Sequence, residues 1–357
     1  MSFEFLANPW RARADAAAAM PAADPRATAF HRGLDGYAAS PLIDAPELAQ
    51  AMRVGRVWLK VETERLGLPA FKILGASWAA ERLLDGRDTD GITLVTATDG
   101  NHGRAVARVA RMRGMAAHIL VPAGTAQARI DGIASEGARV EIVDGSYDDA
   151  VRRAAGMAGD AHVVLSDTSW PGYEDVPRWV VDGYETIFGE ADEQLAGAVP
   201  EVALIPIGVG SLAVAAAAHW PGEKPRLVGL EPTSAACALE SIRHGSPVVV
   251  PGPHDSIMAG LNAGSVSELA GPVLRDRFDA FCTIGDGLAE EGMIRLARTG
   301  VNAGEVSGGT VGAALAICGD DSARAALGID EDTGVFLLLT EGLTDPANWE
   351  RVVGRAA

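Results

Sequence analysis

From residue 85 to 165 the chain alternates short β-branched apolar runs with stretches of helical periodicity. The run at 92–97 (ITLVTA) gives way to the turn DGNHG at 99–103 and then to a helical stretch at 104–113. Strands are predicted at 117–121 (AHILV), 139–143 and 162–165, with helices at 126–136 and 147–157 between them. The alternation resumes at 202–207 (VALIPI), which runs into Gly208-Val209-Gly210 and an alanine-rich helix at 212–219. Later strands are predicted at 226–230, 281–284 and 335–339 (VFLLL), and helices at 235–244, 288–298 and 345–353. Residues 247–255 read as a loop. Strands separated by helices of about ten residues predict parallel sheets with crossover helices.

The fold class expected is α/β, with two open domains of mostly parallel sheet. A chain of 357 residues exceeds one ordinary core. The block 85–165 reads as a smaller domain inserted into a larger, discontinuous one made of 1–84 and 166–357. Ligands favour the cleft between such domains and the carboxyl ends of their strands.

Composition narrows the partners. The net charge of −18 repels phosphate backbones and anionic membrane surfaces, so neither nucleic acid nor a membrane is expected as partner. No apolar run approaches the ~20 residues of a membrane span. Cys237, Cys282 and Cys318 are far apart and form no CxxC pair, which predicts reduced thiols, no metal site and a cytoplasmic protein. The alanine run at 16–19 follows Asp15 and ends at Pro21, too short for a signal-peptide core.

Four features carry candidate chemistry. Lys72 sits in FKILGA, among apolar neighbours at the predicted start of a helix running to Leu84. Burial lowers a lysine's pKa, and the neutral amine can form a Schiff base. Taken alone, the same residue reads as a snorkelling lysine at a domain edge. The turn Thr98-Asp99-Gly100-Asn101-His102-Gly103 lies between strand and helix. Its glycines allow close approach to a flat ring and Asn101 can hydrogen-bond to it, while a plain Asn/Gly turn with a packed His102 accounts for the same residues. Gly208-Val209-Gly210-Ser211 precedes a helix whose free N–H groups can hold a phosphate. Thr340, in TEG after VFLLL, stands where parallel sheets place their sites, although it also reads as an ordinary strand-ending turn.

In this order the four features resemble fold-type II pyridoxal-phosphate (PLP) enzymes, the superfamily of tryptophan synthase β and threonine dehydratase. The likeness runs from about residue 30 to 349 and includes Ser40-Pro41-Leu42, Gly137-Ala138-Arg139-Val140 and Tyr147-Asp148-Asp149-Ala150. Within it, TATDGNHGR, SDTSWPGY, GLPAFKILGA, IMAGL and TEGLTD resemble diaminopropionate ammonia-lyases. The resemblance implies that Lys72 carries PLP covalently, that Asn101 faces the ring oxygen, and that Gly208, Val209, Gly210 and Ser211 hold the phosphate. It further implies that Thr340 meets the ring nitrogen, that Asp99 and Asp167 are the active-site carboxylates, and that the protein is a homodimer. Two departures stand out. Pro171 replaces a common Glu, and Ser307-Gly308-Gly309 lacks the acid of a family Ser-Gly-Glu stretch, with Glu305 nearby but out of register.

The activity so implied is PLP-dependent α,β-elimination of ammonia from 2,3-diaminopropionate, giving pyruvate and ammonia in amino-acid catabolism. A β-amino group leaves only when protonated, so an anion near the second amine is expected, and two aspartates supply it. Other expectations stay open: a serine/threonine-type dehydratase or β-replacement synthase of the same superfamily, or a catalytically silent PLP-binding protein.

Overall fold

The structure is a computed structural model and describes residues 2–11 and 24–354. The alanine run at 16–19 lies outside the described residues. In chain order the strands are β1 (Phe3–Ala7), β2 (Leu42–Asp44), β3 (Arg56–Val61), β4 (Thr93–Ala97), β5 (Ala116–Pro122), β6 (Arg139–Val143), β7 (His162–Val164), β8 (Val202–Pro206), β9 (Arg226–Pro232), β10 (Ala280–Ile284) and β11 (Gly334–Leu339).

They form two sheets. The larger has the order β1-β10-β9-β8-β11-β3-β2, and the smaller β6-β5-β4-β7. Every pairing is parallel except β1 with β10 and β2 with β3, at the two edges of the larger sheet. Helices cover both faces of a parallel sheet, so its central strands are apolar throughout rather than alternating. VALIP in β8 and GVFLLL in β11 are buried at every position. One apolar cluster runs from Leu94 and Ile119 of the smaller sheet to Ile205 and Phe336 of the larger, so the two sheets share a core.

Ser40-Pro41-Leu42 has a structural explanation. Ser40 Oγ donates to Glu62 Oε1 at 2.5 Å, its N–H donates to Glu190 Oε2 at 3.0 Å, and its carbonyl accepts from Lys60 Nζ at 2.8 Å. Arg65 completes the cluster on Glu62 and Glu190. Buried charges need such mutual partners, because an unpaired one costs several kcal/mol, of order 3–5 when one partner is removed. The network anchors β3 to helix Asp175–Leu195, against which the site lysine is held.

Candidate active site

Each sheet has one point at which successive crossovers depart in opposite directions. In the smaller sheet β5 lies on one side of β4 and β7 on the other, and in the larger sheet β9 lies on one side of β8 and β11 on the other. Parallel sheets open a crevice at the carboxyl ends of such strand pairs. Asp99 follows β4, Asp167 follows β7, Gly208 follows β8 and Thr340 follows β11. The segments that carry Asp99, Asp167, Gly208 and Thr340 therefore converge for a topological reason. Lys72, Asp99, Asn101, Asp167, Gly208, Val209, Gly210, Ser211 and Thr340 all line one cavity, whose empty volume including its mouth is about 680 Å³.

Lys72 is the residue before helix Ile73–Leu84. Its amine lies 5.6 Å from the Phe71 ring and 6.0 Å from the Tyr184 ring, and these two rings meet edge to face at 4.7 Å. Nζ donates to Asp167 Oδ2 at 2.7 Å, with the lysine side chain one fifth exposed. The expectation of a neutral, burial-depressed amine is corrected here. Burial does disfavour the charge, but the Asp167 carboxylate outweighs it and holds the Lys72 pKa above the ordinary lysine range. Asp167 is correspondingly driven down to about 2: burial opposes this, and His102 and the Lys72 ammonium overcome it.

His102 is buried against the same carboxylate. Its Nε2 is 2.9 Å from the carbonyl of Leu165, so this nitrogen carries the proton, and Nδ1 lies 3.8 Å from Asp167 Oδ2. Burial depresses its pKa, partly countered by the Asp167 charge. The packing role expected of His102 accounts for these contacts.

Asp99 behaves oppositely to Asp167. Burial pushes it up to about 6, reinforced by Asp167 and only partly countered by Arg129 and Lys72. Two carboxylates in one cavity thus divide: one stays ionised, and the other exchanges a proton near neutrality. Thr98 Oγ1 accepts from the N–H groups of Gly100 and Gly103, fixing the turn, and helix Asn101–Met112 begins three residues earlier than predicted. Asn101 Nδ2 donates to Glu341 Oε2 at 2.6 Å, which ties this turn to the segment after β11.

The lining fits PLP. A reactive amine, an amide and a hydroxyl face a cavity that also contains the start of helix Ser211–His219 with its free N–H groups. Gly210 has φ +104°, and an added Cβ would stand 2.5 Å from Cβ of Ala270. Gly210→Asp brings both strain and a negative charge to the start of helix Ser211–His219. PLP affinity is expected to fall about tenfold or more, and Gly210→Ala, with the same strain and no charge, to lose less. Titration of both apoproteins with PLP, followed by absorbance, checks this. Parent-like affinity in Gly210→Asp places the phosphate elsewhere.

Both sequence departures have local reasons. Pro171 is exposed at the tip of a turn closed by Trp170 stacking on Tyr173 at 4.1 Å, away from the carboxylates. An acid at 309 would have to displace the buried Met258 side chain, since a Cβ there would stand 2.4 Å from its Sδ. Ser307 Oγ instead bonds to the backbone of Glu341, donating to its carbonyl at 2.8 Å and accepting from its N–H at 3.1 Å. Sequence reasoning missed Arg129, Glu341 and Tyr184 as parts of the site. The available signal for Arg129 was a lone arginine one turn from Ile133, on the inward face of helix Gln127–Ala134. Among the described residues no group of three or more His, Cys, Asp or Glu is arranged to hold a metal ion, and no helix is long and apolar enough to cross a membrane.

Comparison with known proteins agrees with this geometry. The family model for pyridoxal-phosphate dependent enzymes matches residues 34–341. The diaminopropionate ammonia-lyase of Salmonella typhimurium is 35% identical, over 92% of this chain and 92% of that protein. The diaminopropionate ammonia-lyase of Escherichia coli K12 is 33% identical, over 91% of this chain and 89% of its own length. The crystal structure of the Escherichia coli enzyme in complex with an aminoacrylate-PLP azomethine reaction intermediate superposes with a TM-score of 0.91 at 30% identity, covering 100% of this chain and 98% of that one.

Proposed function

The chain belongs to the family of pyridoxal-phosphate dependent enzymes, and from that premise we propose that it eliminates ammonia from 2,3-diaminopropionate, giving pyruvate and two molecules of ammonia per molecule of substrate and water. The observation that carries this reading is the pair of carboxylates, Asp99 and Asp167, in the cavity that contains Lys72.

PLP bound at Lys72 draws electrons from the substrate's α-carbon and makes its proton acidic. In this reading Asn101 and Thr340 orient the ring, and the backbone of Gly208–Ser211 holds the phosphate. Asp167, ionised throughout the physiological range, receives an ammonium, from Lys72 in the free chain and from the substrate's second amine during turnover. Asp99, balanced near neutrality, exchanges a proton with the substrate. Lys72 and Asp99, which line the same cavity, serve opposite faces of the α-carbon in this reading, so both enantiomers become substrates. A serine in place of Asp99, as in hydroxyl-amino-acid dehydratases, supplies neither the anion nor the proton. The proposal extends to a homodimer, on the strength of the family likeness, and to the cytoplasm, on three dispersed cysteines that form no CxxC pair.

The test is stoichiometry. Purified protein should release two ammonia per pyruvate from D- or L-diaminopropionate, against one from serine. Turnover of serine or threonine with none of diaminopropionate overturns the reading, and so does PLP binding without turnover of any of them.

A further inference from the structure

Helix Gln127–Ala134 turns one charged residue inward. Arg129 is buried beside Ile133, although an arginine brings five donors and is seldom buried unless paired. Its Nη2 donates to Thr344 Oγ1 at 3.2 Å and lies 3.8 Å from Glu305 Oε2. Nη1 has no hydrogen-bond partner, and neither does Glu305 Oε2. On the other side the stem lies over the turn that carries Asp99 and Asn101. A Cβ added at Gly100 would stand 3.1 Å from Cδ of Arg129 and 3.3 Å from Nη1. One guanidinium thus touches the smaller sheet's cofactor-facing turn and the larger sheet's segment after β11. Asn101 spans the same gap through Glu341.

The charge around it is lopsided. Asp99, Glu305, Glu341 and Asp345 all act on Arg129. Burial alone drives acids so placed to take up protons. The groups facing Asp99 are Arg129 from helix Gln127–Ala134, Lys72 ahead of helix Ile73–Leu84, Asp167 after β7 and Tyr147 at the start of helix Tyr147–Ala155. Of the two cations, Lys72 is engaged by Asp167 and becomes the cofactor's anchor in the reading above. Arg129 is the cation left for Asp99.

We propose that Arg129 is the positioning residue for Asp99: it clamps the 98–103 turn to the 340–345 segment and keeps Asp99 available as a carboxylate near neutral pH. This rests on the proton-exchanging role proposed for Asp99. Arg129 touches neither substrate nor cofactor in this scheme and acts through the turn.

The experiment is the pH profile of kcat/KM for diaminopropionate with PLP-loaded parent, Arg129→Gln and Arg129→Lys. The parent rises through an acid limb set by Asp99. Loss of the positive charge raises the Asp99 pKa, so the limb of Arg129→Gln should move to higher pH by about one unit. Its plateau should fall as well, because the clamp is lost, and its deficit should be about tenfold larger below the limb than on the plateau, shrinking toward the plateau value as pH rises through 8. Arg129→Lys retains charge, so its limb should stay within about half a unit of the parent, while its plateau falls because one ammonium cannot span both segments. A limb that stays in place in Arg129→Gln overturns the proposal even if the rate drops, since a merely structural role lowers the profile without moving it. If Arg129→Gln fails to fold, Arg129→Met takes its place on the same criterion: a limb about one unit higher supports the proposal, and an unmoved limb overturns it. If the parent does not turn over diaminopropionate at all, the functional reading fails separately, and a pH titration of the visible absorbance of PLP-loaded parent and Arg129→Gln still decides whether Arg129 sets the protonation of Asp99: a displaced transition supports it, and superimposable titrations overturn it.

Discussion

Lys72→Ala is expected to lose the visible absorbance of covalently held PLP and nearly all turnover, on the order of a thousandfold or more given what a positioned acid–base group contributes. Two effects add. The amine that anchors the cofactor is gone, and so is one group able to accept the α-proton. The fold is expected to tolerate the change for a specific reason. Asp167 then lacks the ammonium at 2.7 Å that holds it down near 2. The carboxyl can take up a proton and become neutral instead of remaining a buried, unpaired charge. Reduction of the parent holoprotein with borohydride, followed by peptide mapping, locates the modified lysine. PLP fixed on Lys60 or Lys224 instead removes Lys72 from the role. Lys60 is a poor competitor, since its amine is fully buried among Glu190, Gln194 and the Ser40 carbonyl.

The second large effect is expected from the carboxylates. Asp99→Asn and Asp167→Asn should each retain PLP and lose activity on at least one diaminopropionate enantiomer by roughly 10²–10⁴-fold, the range for a lost proton-transfer group. Activity on serine should fall much less. The two variants should differ in pH behaviour. Asp99 titrates near 6, so its ionised fraction rises as pH rises through that value. The acid limb of kcat/KM should therefore disappear in Asp99→Asn. Asp167, which receives the substrate's second ammonium in this reading, stays ionised through the assay range, so Asp167→Asn should keep a limb. Equal fractional losses on both diaminopropionate enantiomers and serine would falsify a role in reading the second amine.

The repeated β-α units were legible because period and length changed together. Strand 139–143 matches β6 residue for residue, and VFLLL lies within β11. The turn at 98–103, Asp167, Gly208–Ser211 and Thr340 were legible for a related reason, since each follows a strand that the pattern identifies, whereas Lys72 was read from FKILGA alone. Other elements left weaker marks. Helix Glu305–Gly319 contains four glycines and is buried on nearly every side, so no polar face alternates with an apolar one. Helix Asp175–Leu195 interrupts its apolar pattern with Pro177, Gly183 and Gly189, positions that read as breaks. The antiparallel edge strands β1 and β2 are only five and three residues long, and the partner of β1 lies far away in sequence. Arg129 was illegible for a different reason. Its partners come from residues 99, 305 and 341–345, and no local pattern connects them. The charge of Lys72 was misread on the same account: burial was foreseeable from FKILGA, but the compensating contact with Asp167, 95 positions away, was not.

The most direct test of the account is the ratio of kcat/KM for diaminopropionate to that for serine in the parent holoprotein, measured by pyruvate release with each enantiomer. Two carboxylates facing one cavity predict a ratio well above one, on the order of a hundredfold if a charged contact to the second amine contributes about 3 kcal/mol. A ratio at or below one for both enantiomers contradicts it.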